Sequence, residues 1–201
     1  MTSTRTRILT AIVMPVLLFL TACGINSIPT AEENAKAKWA DVQSQYQRRA
    51  DLIPNLVATV QGYASQERNV LREVTEARAS ATRVTLSPEQ LTDPAAMQRF
   101  AEAQGRLSAT IIPLQRLQET YPELRSNENF MALQSQLEGT ENRITVARRD
   151  YNQAVQAYNT TIRTFPAVIG ARVIYGSQPM QPFQAEEGAQ RAPTVSFGNG
   201  Q

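Results

Sequence analysis

Two charged residues fall where a helix should be apolar. Glu67 lies on the stripe through Ile53, Val57, Val60, Ala64, Leu71 and Val74, and Arg78 lies on the same stripe eleven residues later. A buried carboxylate is costly unless a cation meets it. Arg148 is a second candidate cation, next to the third-helix seam at Ala147. A buried or half-buried pair would fix helix register. The same charges would serve a charged pocket inside a bundle, or stay in solvent on a splayed seam. Arg48, Arg49 and Asp51 precede Pro54. They suit a solvated face around a kink, or Arg48 or Arg49 reaches across to Glu138 or Asp150. Asn55 follows Pro54, where its amide can satisfy a backbone group freed by the kink. Tyr151-Asn152 and Tyr158-Asn159 are one heptad apart and repeat one helix face. They suit core tyrosines with amides bonding across helices, or the lining of a polar site.

Other chemistry is short of parts. The 201 residues contain no histidine and one cysteine, Cys23. The commonest general base and metal ligand is therefore missing, and no intramolecular disulfide can form. A Ser-Lys dyad would need Lys36 or Lys38, both near the start of the domain. Carboxylate-pair catalysis needs a cleft, which antiparallel helices with short loops rarely supply. There is no glycine-rich phosphate loop and no ligand cluster with metal spacing. The expectation is a protein that is not an enzyme, with no metal and no cofactor.

The N-terminus is an address. Arg5 and Arg7 precede an apolar run from Ile8 to Leu20, followed by Thr21-Ala22-Cys23-Gly24. A basic start, a short apolar stretch and a small residue before a cleavage point describe a secretory signal. The LTAC-Gly sequence resembles a bacterial lipobox, which implies cleavage before Cys23 and its acylation with palmitate-like chains. Two or three such chains make a lasting membrane anchor. Gly24, rather than Asp, after the cysteine implies the periplasmic face of the outer membrane in a two-membrane cell. The alternative is an uncleaved single-pass anchor. Without Arg5 and Arg7 the chain holds 18 cations and 18 anions, so it has no electrostatic footprint for nucleic acid.

The positioning elements are helices. Residues 1–22 read as signal, 23–30 as tether, 31–176 as a helical domain and 177–201 as a disordered tail. Thr30-Ala31-Glu32-Glu33 resembles a capping box, placing a first helix from about Ala31 to Arg83, on the order of 78 Å long. Pro54 should kink it. Asp93-Pro94 starts a second helix through Met97, Phe100, Gln104, Leu107, Ile111 and Leu114, bent by Pro113 and ended by Tyr121-Pro122. Ser126 caps a third, whose seam runs from Phe130 through Leu137, Ile144, Tyr151 and Tyr158 to Phe165. Ala167 to Tyr175 forms a short fourth segment. Phe183 and Phe197 are tail aromatics. The fold class is all-α, an antiparallel helical bundle of long helices, of four-helix-bundle type.

These residues carry a family resemblance. Arg48 to Glu67, RRADLIPNLVATVQGYASQE, resembles the signature of the LemA family. Arg148-Arg149-Asp150-Tyr151-Asn152, Tyr158-Asn159, Phe165-Pro166 and Ala77-Arg78 extend the likeness over about residues 36–176. The resemblance implies a membrane-tethered, extracytoplasmic four-helix bundle with no established enzymatic activity. Many relatives keep an uncleaved N-terminal transmembrane helix, from which the lipobox here departs.

Two functions follow as expectations. The first is an envelope interaction or scaffold protein, held to the membrane by its N-terminal lipid and meeting envelope proteins or further copies of itself. The second is a ligand-binding module, with Glu67, Arg78 and the Tyr-Asn pairs lining a polar pocket.

Overall fold

The computed structural model describes residues 26–184, and all of the long elements in it are helical. Helix α1 spans Ser27–Tyr63 and α2 spans Arg68–Arg83. A 3-10 turn at Pro88–Thr92 leads to α3, Pro94–Thr120. The short α4, Pro122–Arg125, precedes α5, Glu128–Thr161. One turn of α6, Ala167–Gly170, continues into a π-helical turn, Ala171–Tyr175. Residues 177–184 form an irregular strap.

The first expected helix is two helices. The chain turns at Ala64–Glu67, and α2 runs back along α1. Arg78 meets Ala50, and the Leu86 carbonyl receives Trp39 Nε1 and Gln43 Nε2. The four long helices α1, α2, α3 and α5 therefore alternate in direction, α1 packing on α5 and α2, and α2 on α3. The apolar stripe continues through the turn in sequence because both helices need one. Folding back buries each stripe on the other, which a single straight helix could not do.

The starts and ends also move. Helix α1 begins at Ser27, not Ala31, and Ile28 is fully buried. Pro29 sits in the first turn, where a missing N–H costs nothing. Thr30 caps nothing; its hydroxyl donates to the Asn26 carbonyl at 2.9 Å. The expected tether therefore contains helix. Asp93 does cap α3, accepting from Ala95 N at 2.9 Å. Asn127, rather than Ser126, caps α5 by accepting from Phe130 N at 2.9 Å. Helix α5 ends at Thr161, short of Phe165, because Pro166 disfavours helical geometry in the residue before it. Phe165 is 78% exposed.

The core has two parts. Trp39, Tyr46, Phe100, Tyr151, Tyr158, Met180 and Phe183 dominate one. Ile53, Leu56, Val60, Leu71, Leu107, Leu114, Phe130 and Leu137 dominate the other. No helix among the described residues is long and apolar enough to cross a membrane.

Candidate functional site

Between those two parts lies a polar layer. The buried face of α1 runs Ala35, Trp39, Val42, Tyr46, Arg49, Ile53, Leu56, Val60, by fours and threes. Arg49 is its one charged residue and is 1% exposed. Its Nη1 donates to Ser108 Oγ at 2.6 Å and to Glu141 Oε1 at 3.0 Å. Its Nη2 donates to the Gln104 carbonyl at 3.1 Å and to Gln104 Oε1 at 2.7 Å. The guanidinium carbon lies 5.0 Å from the Tyr46 ring centroid. Gln104 Nε2 then donates to the Ala81 carbonyl at 3.2 Å, in the last turn of α2, where carbonyls lack helical partners. One cation thus ties α1 to α3 and α5, and Gln104 extends the layer to α2. The planar fork suits four acceptors at fixed angles. Arg49 Nε, also buried, has no hydrogen-bond partner among the described residues.

Arg49 is not on a solvated face: it pairs across the bundle, with Glu141 instead of Glu138 or Asp150. Glu138 accepts from Gln134, and Asp150 from its neighbour Arg149. Arg48 is exposed, and Asp51 accepts from Gln47 one turn away.

The expected Glu67–Arg78 pair does not form, because eleven residues, about three helical turns, separate the two along α2. Glu67 is partly exposed at the turn and accepts from the Tyr121 hydroxyl at 3.0 Å. That bond raises the Tyr121 pKa. Arg78 has a different task. Pro54 carries no N–H for the Ala50 carbonyl, and Arg78 Nε donates to that carbonyl at 2.7 Å. A side chain from the neighbouring helix repairs the gap in α1. Asn55 is exposed and does not fill that role.

The Tyr-Asn pairs meet the strap instead of another helix. Asn159 Nδ2 donates to the Met180 carbonyl and Asn159 Oδ1 accepts from Met180 N, both at 2.9 Å. Asn152 makes the same reciprocal pair with Phe183, at 3.0 and 2.8 Å. Each amide imitates a peptide group in a β-ladder. The spacing explains the fit: one heptad of helix rises about 10.5 Å, and three residues of near-extended chain cover about 10 Å. The Tyr151 hydroxyl donates to the Gln181 carbonyl at 3.0 Å. Gln181 N donates to the Leu91 carbonyl at 2.8 Å, fastening the strap's other side.

Residues 177–184, expected to be disordered, are therefore held, and Phe183 is 5% exposed. Its ring stacks 5.7 Å from Trp39 and lies edge-on to Tyr151 at 5.8 Å. Arg148 covers it, with the guanidinium carbon 4.8 Å from the ring centre. Burial pushes the Tyr151 hydroxyl well above its ordinary pKa, and Tyr158 upward as well. Tyr151 is fully buried. A groove does run beside the strap, bordered by Asn152, Asn159, Thr160, Arg163 and Pro182, but it is open to solvent.

Gln104, Ser108, Glu141 and Tyr121 were absent from the sequence candidates for this network. Gln104 carried a signal, since it is a polar residue on an apolar seam. Cys23 and Phe197 lie outside the described residues. Among those described, no group of three His, Cys, Asp or Glu is placed to hold a metal ion.

A model of the LemA family matches residues 38–197 of the chain. Magnetosome protein MamQ 2 and magnetosome protein MamQ 1 of Paramagnetospirillum magneticum are each 25% identical over 164 residues, covering 70% of this chain. Magnetosome protein MamQ of Magnetospirillum gryphiswaldense is 24% identical over 157 residues, with the same coverage. The chain spans 58% of the length of these curated relatives.

Proposed function

The chain belongs to the LemA family, and from that premise we propose that it is a non-enzymatic envelope lipoprotein. It is anchored at Cys23 outside the cytoplasm and scaffolds other envelope proteins or copies of itself. The observation that carries this reading is the start of α1. Only residues 24–26 separate Cys23 from Ser27, and Ile28 is already fully buried. Four residue steps of chain reach at most about 14 Å. A lipid on Cys23 would therefore hold the bundle close to the bilayer, with little slack in the tether. Helix α1, 37 residues long, would then carry its faces about 55 Å along the bundle. The internal polar groups support the same reading. Both Nη nitrogens of Arg49 and the two asparagine amides are occupied by the protein's own partners. The relatives are named for a cellular structure, the magnetosome, and not for a reaction.

The test is cross-linking in intact cells, purification through a C-terminal tag, and mass spectrometry. The expected result is an N-terminal peptide beginning at acylated Cys23, together with a reproducible protein partner. Cross-links to lipid alone would overturn the scaffold. An unmodified Cys23 within an intact leader would overturn the lipid anchor.

A further inference from the structure

The segment after α5 is packed inside out. Ala167, Gly170 and Ala171 are buried, while Phe165, Ile169, Val173 and Ile174 are exposed. Ile169 and Val173 are four residues apart, about one helical turn, with Ile174 next to Val173; Phe165 lies in the turn that leads into the helix. Val173 is 78% and Ile174 61% exposed. Among the described residues, five of the nine exposed large hydrophobic side chains fall between Phe165 and Tyr175. Scattered apolar residues on a surface need no explanation, but a concentrated patch marks a contact.

The position of the patch says what the contact is. Tyr63 with Asn127, Arg49 with Glu141 and Trp39 with Tyr151 share one antiparallel register between α1 and α5. That register sets Ile28 level with Ile162, three residues before Phe165. The patch therefore lies at the end of the bundle where α1 begins, and there the chain continues back through Cys23 into the apolar run Ile8–Leu20. Arg163 and Arg172 are exposed within the same segment, and no acidic residue occurs between Asp150 and Glu186. Apolar side chains with arginines beside them suit the boundary between acyl chains and anionic headgroups.

We propose that Phe165, Ile169, Val173 and Ile174 form a membrane-docking face that seats the end of the bundle in an anionic lipid surface. The proposal rests on the tethering reading only in that the N-terminal segment brings this end to a bilayer; a lipid on Cys23 and an uncleaved anchor serve equally. Such a face would enter about 5–10 Å into the headgroup boundary. It would turn a point attachment into a fixed orientation.

The test uses the full chain with Cys23→Ser and Val173→Cys, labelled with bimane at position 173. The chain is reconstituted through its N-terminal segment into vesicles of phosphatidylethanolamine and phosphatidylglycerol carrying nitroxide on the upper acyl chain. Met131→Cys, at an exposed site towards the far end of α5, is the reference. Quenching at position 173 should exceed that at 131 by about threefold or more, as expected for a probe within the boundary. Val173→Glu with Ile174→Glu should abolish quenching of a probe at Ile169→Cys without moving the melting temperature. Equal quenching at 173 and 131 in vesicle-bound protein would overturn docking and leave the tether standing. So would disulfide cross-linking between position 173 of two copies without lipid quenching, which would make the face a contact between copies. So would a probe at 173 shielded from lipid by the N-terminal segment itself. Protein that fails to stay with the vesicles would overturn docking and the uncleaved anchor, while the lipid on Cys23, which this variant cannot carry, stands or falls on the N-terminal peptide mass.

Discussion

On one side of the Arg49 layer the core is aromatic and is closed by a strap; on the other it is aliphatic and is closed by helix turns. The aromatic half holds Trp39, Phe100, Tyr151 and Phe183, with ring centres between 5.2 and 6.2 Å apart where they meet. The aliphatic half is packed mostly by Leu, Ile, Val and Ala at regular seam positions, with Phe130 among them. Regular spacing is enough for the aliphatic half, because those side chains fill space wherever stripes meet. The aromatic half needs particular partners, and one of them, Phe183, arrives from more than thirty residues beyond Trp39's neighbour Tyr151. Closure by a distant segment makes that half depend on hydrogen bonds to Asn152 and Asn159 as well as on burial.

The contrast can be broken first at its boundary. Arg49→Ala should cost about 3–5 kcal/mol in urea unfolding, because Gln104 and Glu141 lose a buried partner and a cavity remains. Arg49→Met should recover part of that loss by filling the space. Phe183→Ala should cost about 3 kcal/mol and should loosen the aromatic half alone. Amide exchange would then accelerate around Trp39 and Tyr151 while Leu56 and Leu114 stay protected. Protection lost equally in both halves would show that the layer does not divide the bundle. Asn152→Ala should cost about 1–2 kcal/mol, read as faster exchange at Phe183 N than at Met180 N. Arg78→Ala should cost about 1 kcal/mol by leaving the Ala50 carbonyl unpaired. Adding Pro54→Ala should restore most of it, since the new N–H reaches that carbonyl; additive losses in the double variant would sever the two residues.

The smallest effect at neutral pH is the titration of Tyr151. Burial raises its folded pKa above the ordinary 10.0. Its contribution is therefore complete below the unfolded value and declines as pH rises past 10.0 towards the folded value. Tyr151→Phe should flatten the alkaline loss of stability measured from pH 9 to about 12, apart from a constant offset for the lost bond to Gln181.

Much of this bundle was legible in the sequence, and the illegible parts share a cause. Periodicity located α3, most of α5 and the stripes of α1 and α2, because burial on one face imposes it. Periodicity did not locate the turn at Ala64–Glu67, since two stripes facing each other keep the same count as one long stripe. Gly62 was the one weak sign. Glu67 drew attention as a charge on the stripe, yet the charge that is buried is Arg49, one heptad below Leu56 on the face that continues back to Trp39. Extending the seam toward the N-terminus would have exposed it. The strap was hidden because its composition, rich in Pro and Gln, is that of an unstructured tail. Its partners are amides whose spacing matters only once an extended chain is laid beside them.

The asparagine ladder has a consequence for how much of the strap is specified. Both amides grip main-chain N–H and carbonyl groups, and those are the same for nearly every residue. The written message in this stretch is therefore short: an apolar residue at Met180, another three places later at Phe183, and no proline at Met180, Gln181 or Phe183, whose N–H groups are all used. Random substitution at Pro179 and Pro182, both exposed, should leave the strap seated. Moving the aromatic ring by a single position should unseat it.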